Sequence, residues 1–171
     1  VFEVRAMIEA ALGRQLAARI TDAQIALLRS HLRDEREAIA RTDVSGRTRL
    51  LADFHVVLAR LLGNEVLAQL LSDLLSRSSL ISLMYRSAHS AEHSQDEHVQ
   101  IVEALARRDA RAAVRLMEHH LSSVERNLQL DPRAGVLFID FETGDLLTLS
   151  GTTEMIWEGG ELEAFAGAER A

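Results

Sequence analysis

The chain has 171 residues, an apolar fraction of 47% and a net charge of −7, which suits one domain, or one domain plus a fragment, with a substantial core. That acidic balance argues against nucleic acid being held by these residues alone, because phosphate binding needs a basic surface. There is no cysteine and every basic residue is arginine, which excludes disulfides, thiolate metal sites, cysteine nucleophiles, Schiff-base chemistry and a GxxxxGK[ST] phosphate loop.

Residues 1 to 128 read as helices throughout. Phe2, Ile8, Leu12 and Leu16 recur at helical intervals in the first. Thr21-Asp22 is an N-cap pair opening a second helix that carries Ile25, Leu28 and Leu32. Its continuation, Arg33 to Arg41, reads as a charged, solvated face, and His31 within this helix is given no role. Asp43 to Gly46 interrupts the pattern, and a third helix runs through Leu50, Phe54, Val57 and Leu61 to a stop at Gly63-Asn64. The fourth is apolar on most faces, from Leu67 to Met84, which suggests a central, deeply buried element.

Ser87 to Ser94 reads as a polar loop, with Ser94 and Glu97 forming a capping box that starts the fifth helix. That placement puts His98 in the first turn, beside Ile101, Val102 and Leu105. After a turn at Arg107-Arg108, a sixth helix holds Leu116, Met117, His120, Leu121 and Val124. Six helices of these lengths make a bundle, and the expected fold is all-α.

The character changes at Asp131-Pro132. GVLFIDFE and GDLLTLSGTTEMIW alternate at period two around Thr143-Gly144 and read as a β-hairpin. The expected division is a helical ligand-binding domain over 1–128 and a β-rich tail over 129–171. A hairpin alone is marginally stable, so the tail must pack on something or stay partly disordered. No apolar run approaches the ~18 residues of a membrane span and nothing resembles a signal peptide, so no membrane partner and a cytoplasmic location are expected.

His55, His98 and His120 each fall on the apolar side of a helical pattern, the last two 22 residues apart, as neighbouring antiparallel helices require. A single such histidine is usually a satisfied core residue. Three buried together without partners would cost roughly 1–3 kcal/mol each, and coordination of one cation removes that cost. Zn²⁺, Ni²⁺, Mn²⁺ and Fe²⁺ all accept such a set, with open positions for water or a carboxylate. His119 points about 100° away from His120, towards solvent, and His89 and His93 read as surface residues of the polar loop.

FEVRAMIEAALGRQLA, DFHVVLARLLGN and DEHVQIVEALARRDARAAVRLMEHHL, in that order and spacing, resemble the FCD domain. This is the C-terminal effector-binding domain of the FadR branch of GntR-type transcription regulators, and the resemblance covers about residues 1 to 128. It implies an antiparallel bundle of six or seven helices around a central cavity, which in many members binds a divalent metal through an aspartate and three histidines, with a small carboxylate effector completing the coordination. The histidines of its F-H, E-H-x-x-I/L-V and M-x-x-H-L motifs match His55, His98 and His120. Its aspartate, four residues before the first histidine, is replaced by Leu51, and Asp53 points to the wrong side of the helix. A three-histidine metal site and a metal-free pocket both stay open.

Arg5 and Glu9 match the family's R-x-x-x-E, which places Arg5 where it could clamp an effector carboxylate. Arg77, amid leucines, and Tyr85 are further effector contacts. The family's winged helix-turn-helix does not precede this segment, so DNA is expected as a partner only through that domain, and a homodimer is implied by the resemblance alone. The tail resembles a fragment of an FMN-binding split barrel of the pyridoxamine-phosphate-oxidase type, too short to close, and FMN binding is not expected. The function expected is sensing of a small organic acid, without catalysis. The alternatives are a metal-dependent hydrolase using the three histidines, for which Ser94 cannot be the base and Asp96 and Glu97 serve the helix start, or a structural helical interaction module.

Overall fold

The computed structural model describes the backbone of residues 1–41, 43–84, 88–130, 133–139 and 146–152, and side chains over 1–41, 43–76 and 90–126. Six helices follow one another: α1 (Phe2–Arg19), α2 (Asp22–Ala40), α3 (Val44–Leu61), α4 (Glu65–Met84), α5 (Ala88–Ala106) and α6 (Ala110–Leu130). They form an all-α bundle. By contacts the chain divides into a unit over Val1–Asp131 and a second over Pro132–Ala171.

Local chemistry sets the helix ends. Thr21 caps α2 in a full capping box with Gln24. Asp43, Asn64 and Asp109 accept backbone N–H bonds at the starts of α3, α4 and α6. Helix α3 thus begins at Val44 and Gly46 lies inside its first turn, earlier than the sequence pattern suggests. At its end Gly63 takes φ 79°, with Asn64 N–H on Ala59 C=O and Gly63 N–H on Arg60 C=O, a Schellman closure. Arg108 makes the same closure after α5 at φ 54°, a conformation that a Cβ disfavours.

Two expectations are corrected. Residues 88 to 94 are helical, so α5 starts at Ala88 and Ser94 is no cap. The segment is polar but has no glycine or proline to break a helix, and Ala91, Gln95 and His98 supply a buried stripe at intervals of four and three. His98 is consequently in mid-helix, His89 and His93 are helical rather than in a loop, and Glu97 is free for another task. Over its described side chains, residues 65–76, helix α4 is buried on one face and exposed on the other rather than buried all round. It packs mainly on α3, through Ala68, Leu71 and Leu75, while Val66 is 82% exposed.

The interior belongs instead to α3 and α5, which touch each other and, between them, α1, α2, α4 and α6. Leu12, Leu28, Phe54, Leu58, Ile101, Leu105 and Met117 form the centre of the apolar core. Because α1 lies along α6 and α2 along α5 and α3, polar residues on their inner faces converge on one interior point. No described helix is long and apolar enough to cross a membrane.

In the second unit, β1 (Arg133–Ile139) and β2 (Leu146–Thr152) pair antiparallel, Val136 opposite Leu149 and Phe138 opposite Leu147. The expected period-two segments thus form a two-stranded ladder. The expected turn at Thr143-Gly144 lies outside the described residues.

Candidate metal and effector site

His55 on α3, His98 on α5 and His120 on α6 are fully buried and face one another. The Nε2 of His120 lies 3.2 Å from that of His98 and 3.3 Å from that of His55. One ligand nitrogen from each of the three falls within 4.8 Å of the other two. Phe54 stacks on His98, with centroids 3.9 Å apart and planes at 14°, and meets His55 edge-on. The ring orientations are therefore fixed by packing as well as by polar contacts.

Behind each imidazole stands a buried carboxylate. His98 Nδ1 donates to Glu35 Oε1 at 3.0 Å, and His120 Nδ1 to Glu97 Oε2 at 2.8 Å. His55 Nδ1 is 2.5 Å from Glu9 Oε2, a close contact off the line of an aligned hydrogen bond. Glu9 is held in turn by Arg5, whose Nε donates to Oε1 at 2.7 Å. His31 Nε2 sits 3.3 Å from the same Glu35 oxygen that His98 uses, and 2.9 Å from Leu50 C=O.

The electrostatics favour charged carboxylates and neutral rings at His55 and His120. Burial raises the Glu9 pKa, but His55 and Arg5 outweigh it and hold the carboxyl at about 2. Burial also opposes ionisation of Glu35 and Glu97, and again the neighbouring groups win: His98 and His31 for Glu35, His120, Ser123 and His93 for Glu97. His120 is pushed down to about 3, by burial first and then by His98 and His55 against the pull of Glu97. Burial lowers His55 as well, assisted by Arg5 and His98 and opposed by Glu9.

An ionised carboxylate only accepts, so each Nδ1 must carry the proton, and in a neutral ring Nε2 is then a bare lone pair. Lone pairs 3.2 and 3.3 Å from that of His120 repel it unless a cation lies among them. Nitrogens at about 2.0–2.1 Å from a common ion stand roughly 3.0 Å apart at right angles and roughly 3.4 Å apart at the tetrahedral angle. The observed 3.2 and 3.3 Å fall inside that interval. The donor set also has the outer layer that histidine sites use, a carboxylate fixing tautomer and ring rotation. The residues fit a divalent cation.

The other expected contacts divide. Arg5 is buried, but its guanidinium is engaged by Glu9 and lies 5.6 Å from the Phe2 ring, so it serves as a brace in this structure rather than as an open clamp. The Arg77 side chain and all of Tyr85 lie outside the described residues. Leu51 is partly buried one turn before His55, and Asp53 is exposed. Asp53 lines a groove of about 230 Å³ between α3 and α4, with Thr48, Arg49, Ser72 and Ser76.

Sequence reasoning missed Glu35, which it placed on a solvated face, and misassigned Glu97 to a helix cap. It also passed over Arg47, 5% exposed on α3 two turns before His55, with no hydrogen-bond or ion-pair partner among the described residues. Spacing signals existed for both. Glu35 follows Leu28 and Leu32 at intervals of seven and three, and Arg47 precedes Leu51 and His55 at intervals of four.

Residues 1–123 match the family described as the FCD domain. A solved GntR of Streptococcus agalactiae is 29% identical, with a TM-score of 0.64 over 73% of this chain and 56% of that one. The solved McbR/YncC of E. coli has a TM-score of 0.66 over 74% of this chain and 65% of that one, and at 14% identity it shows the fold alone. The chain thus spans less than two thirds of the length of these solved chains. No curated protein matches.

Proposed function

The chain belongs to the FCD domain family, and from that premise we propose that it is the effector-sensing domain of a transcription regulator, binding a small carboxylate beside a divalent metal held by His55, His98 and His120. The observation that carries this reading is the set of three Nε2 atoms turned toward one another while every Nδ1 faces a buried carboxylate. A bound cation supplies a Lewis-acid docking point for a carboxylate oxygen.

This chain's own residues do the rest. Glu9, Glu35 and Glu97 hold the rings in the metal-binding tautomer, and Arg5 keeps Glu9 charged and in place. Arg47 is the anion contact: it is largely inside the bundle, no described group pairs it, and a guanidinium presents a fork of donors to a carboxylate. Binding between helices of different packing partners biases the bundle between arrangements, which is how a sensor would pass its signal to an attached DNA-binding domain and a dimer partner. Zn²⁺, Ni²⁺, Mn²⁺ and Fe²⁺ remain the candidate ions.

Sensing is favoured over hydrolysis by where the carboxylates stand. The three closest to the triad occupy the Nδ1 sides of the rings, away from the converging nitrogens where a general base would be needed. The test is metal analysis of protein purified without a histidine tag, followed by thermal shift against a panel of mono-, di- and tricarboxylates. Stoichiometric metal and a raised melting temperature with one class of acid support the proposal. Protein that takes up no metal and is stabilised by no acid refutes it.

A further inference from the structure

Glu97 has two oxygens with different surroundings. Oε2 bonds to His120 and so belongs to the interior site. Oε1 is buried and has no hydrogen-bond partner. On its outer side stand two histidines that the interior site does not use. His93 Nε2, one helical turn earlier on α5, is 3.3 Å away, and His119 Nε2, on α6, is 3.5 Å away. Both rings are more than half exposed, at 52% and 61%, whereas the Glu97 side chain is only 6% exposed.

Neither approach completes a hydrogen bond, so the buried oxygen faces two solvent-accessible imidazoles, with Ser123 of α6 also beside the carboxylate. A neutral imidazole offers a free lone pair on one nitrogen. Two lone pairs and a carboxylate oxygen are a divalent-cation donor set of the two-histidine, one-carboxylate kind. Separations of 3.3 and 3.5 Å from oxygen to nitrogen are close to the edge of a coordination shell with bonds of about 2.0–2.2 Å. A histidine and a glutamate at i and i+4 share one helix face, and α6 packs directly on α5 to bring the third donor.

The geometry points to a second, outer divalent-cation site made of His93, Glu97 and His119, distinct from the interior triad and joined to it through the two oxygens of Glu97. Among the described residues only the interior triad is already gathered within 4.8 Å. The outer rings must therefore rotate toward one another to close on an ion, which their exposure permits. Such a site is shallow and water-filled on its open side, so it binds more weakly and exchanges faster than the interior one. It would take a borderline cation such as Zn²⁺ or Ni²⁺ from solution.

The experiment titrates Zn²⁺ into the chelator-treated full chain by calorimetry, with ¹H–¹³C spectra of the histidine rings recorded in parallel. Comparison is made with His93→Ala, His119→Ala, the double variant and His55→Ala. The wild type should take up one more equivalent than the double variant, in a weaker class. Each single variant should lose that class, and His55→Ala should keep it while losing the tighter one. The His93 and His119 resonances should move with the weaker class only. The outer site is overturned if the double variant binds as many equivalents as the wild type with unchanged affinities, or if His93 and His119 do not respond to Zn²⁺. Either result leaves the interior reading standing, because that is read from the tighter class and from His55→Ala. The His93 and His119 rings are more than half exposed whereas His55 is buried, and unchanged circular dichroism confirms that all the variants are folded.

Discussion

Glu35 and His98, 63 residues apart in sequence, meet inside the bundle with Oε1 and Nδ1 3.0 Å apart and both side chains buried. Phe54 fixes the plane of the His98 ring by stacking, but stacking leaves the proton free to sit on either nitrogen. The carboxylate decides that, and so decides whether Nε2 offers a lone pair to the interior. Removing such an outer partner typically lowers metal affinity about 10- to 100-fold. Glu35→Ala should show a loss of that size in a Zn²⁺ competition titration, and Glu35→Gln, which keeps a carbonyl acceptor, should recover part of it. Equal affinity in wild type and Glu35→Ala would mean that Glu35 has no part in metal binding.

Leu51 stands where the family's pattern has an aspartate, one turn before His55 and partly buried. A carboxylate there would add a fourth protein ligand with its charge. Leu51→Asp should tighten Zn²⁺ binding by about tenfold or more, of the order that a single supporting carboxylate contributes. In chelator the same variant should melt lower, since an unpaired carboxylate in a half-buried place costs about 1–3 kcal/mol. Opposite signs with and without metal are the signature. Unchanged Zn²⁺ affinity would show that position 51 does not reach the ion.

Much of this arrangement can be read from the chain, and the remainder has a physical reason for being hidden. The helices follow from apolar spacing, and His55, His98 and His120 from their places within it. Their carboxylate partners do not, because Glu9 and His55 are 46 positions apart, and period-based reading sees only one helix at a time. Glu35 sits in a run of six charged residues among nine, so its burial is masked by neighbours that do face solvent. Ser94 and Glu97 match a capping box by spacing, yet a four-residue pattern cannot tell a helix start from an interior turn when no breaker precedes it. Helix α4 misleads in the other direction: its leucines suggest all-round burial, whereas Val66 lies open.

Arg47 gives a test with opposite signs. Arg47 is 5% exposed, so replacement by a similar-sized apolar side chain keeps most of its packing and removes a charge that no described group pairs. Arg47→Met should therefore melt at or above the wild-type temperature when no acid is present. If Arg47 receives the effector, the same variant should lose the stabilisation that carboxylates give the wild type. One charge-assisted pair is worth about 1.5–3 kcal/mol, or a weakening of about 10- to 100-fold in calorimetric Kd. Retained carboxylate affinity would remove Arg47 from the site.

His31 supplies a pH dependence. Burial lowers its pKa, but Glu35, Leu50 C=O and Asp53 together outweigh burial and leave it raised above the usual value. A histidine with a raised folded-state pKa binds its proton more tightly when folded. Its contribution to stability is fully present below the unfolded value of about 6.5 and is lost as pH rises through the higher folded value. The ring faces Glu35 on its own helix and Leu50 and Asp53 on α3, with Phe54 at 6.2 Å and His98 sharing the Glu35 oxygen. In chelator, denaturant midpoints of the wild type should therefore fall between pH 6 and 8 relative to those of His31→Gln, whose amide can reach Leu50 C=O but does not titrate. Parallel curves for the two proteins across that range would show that the His31 proton is not linked to folding.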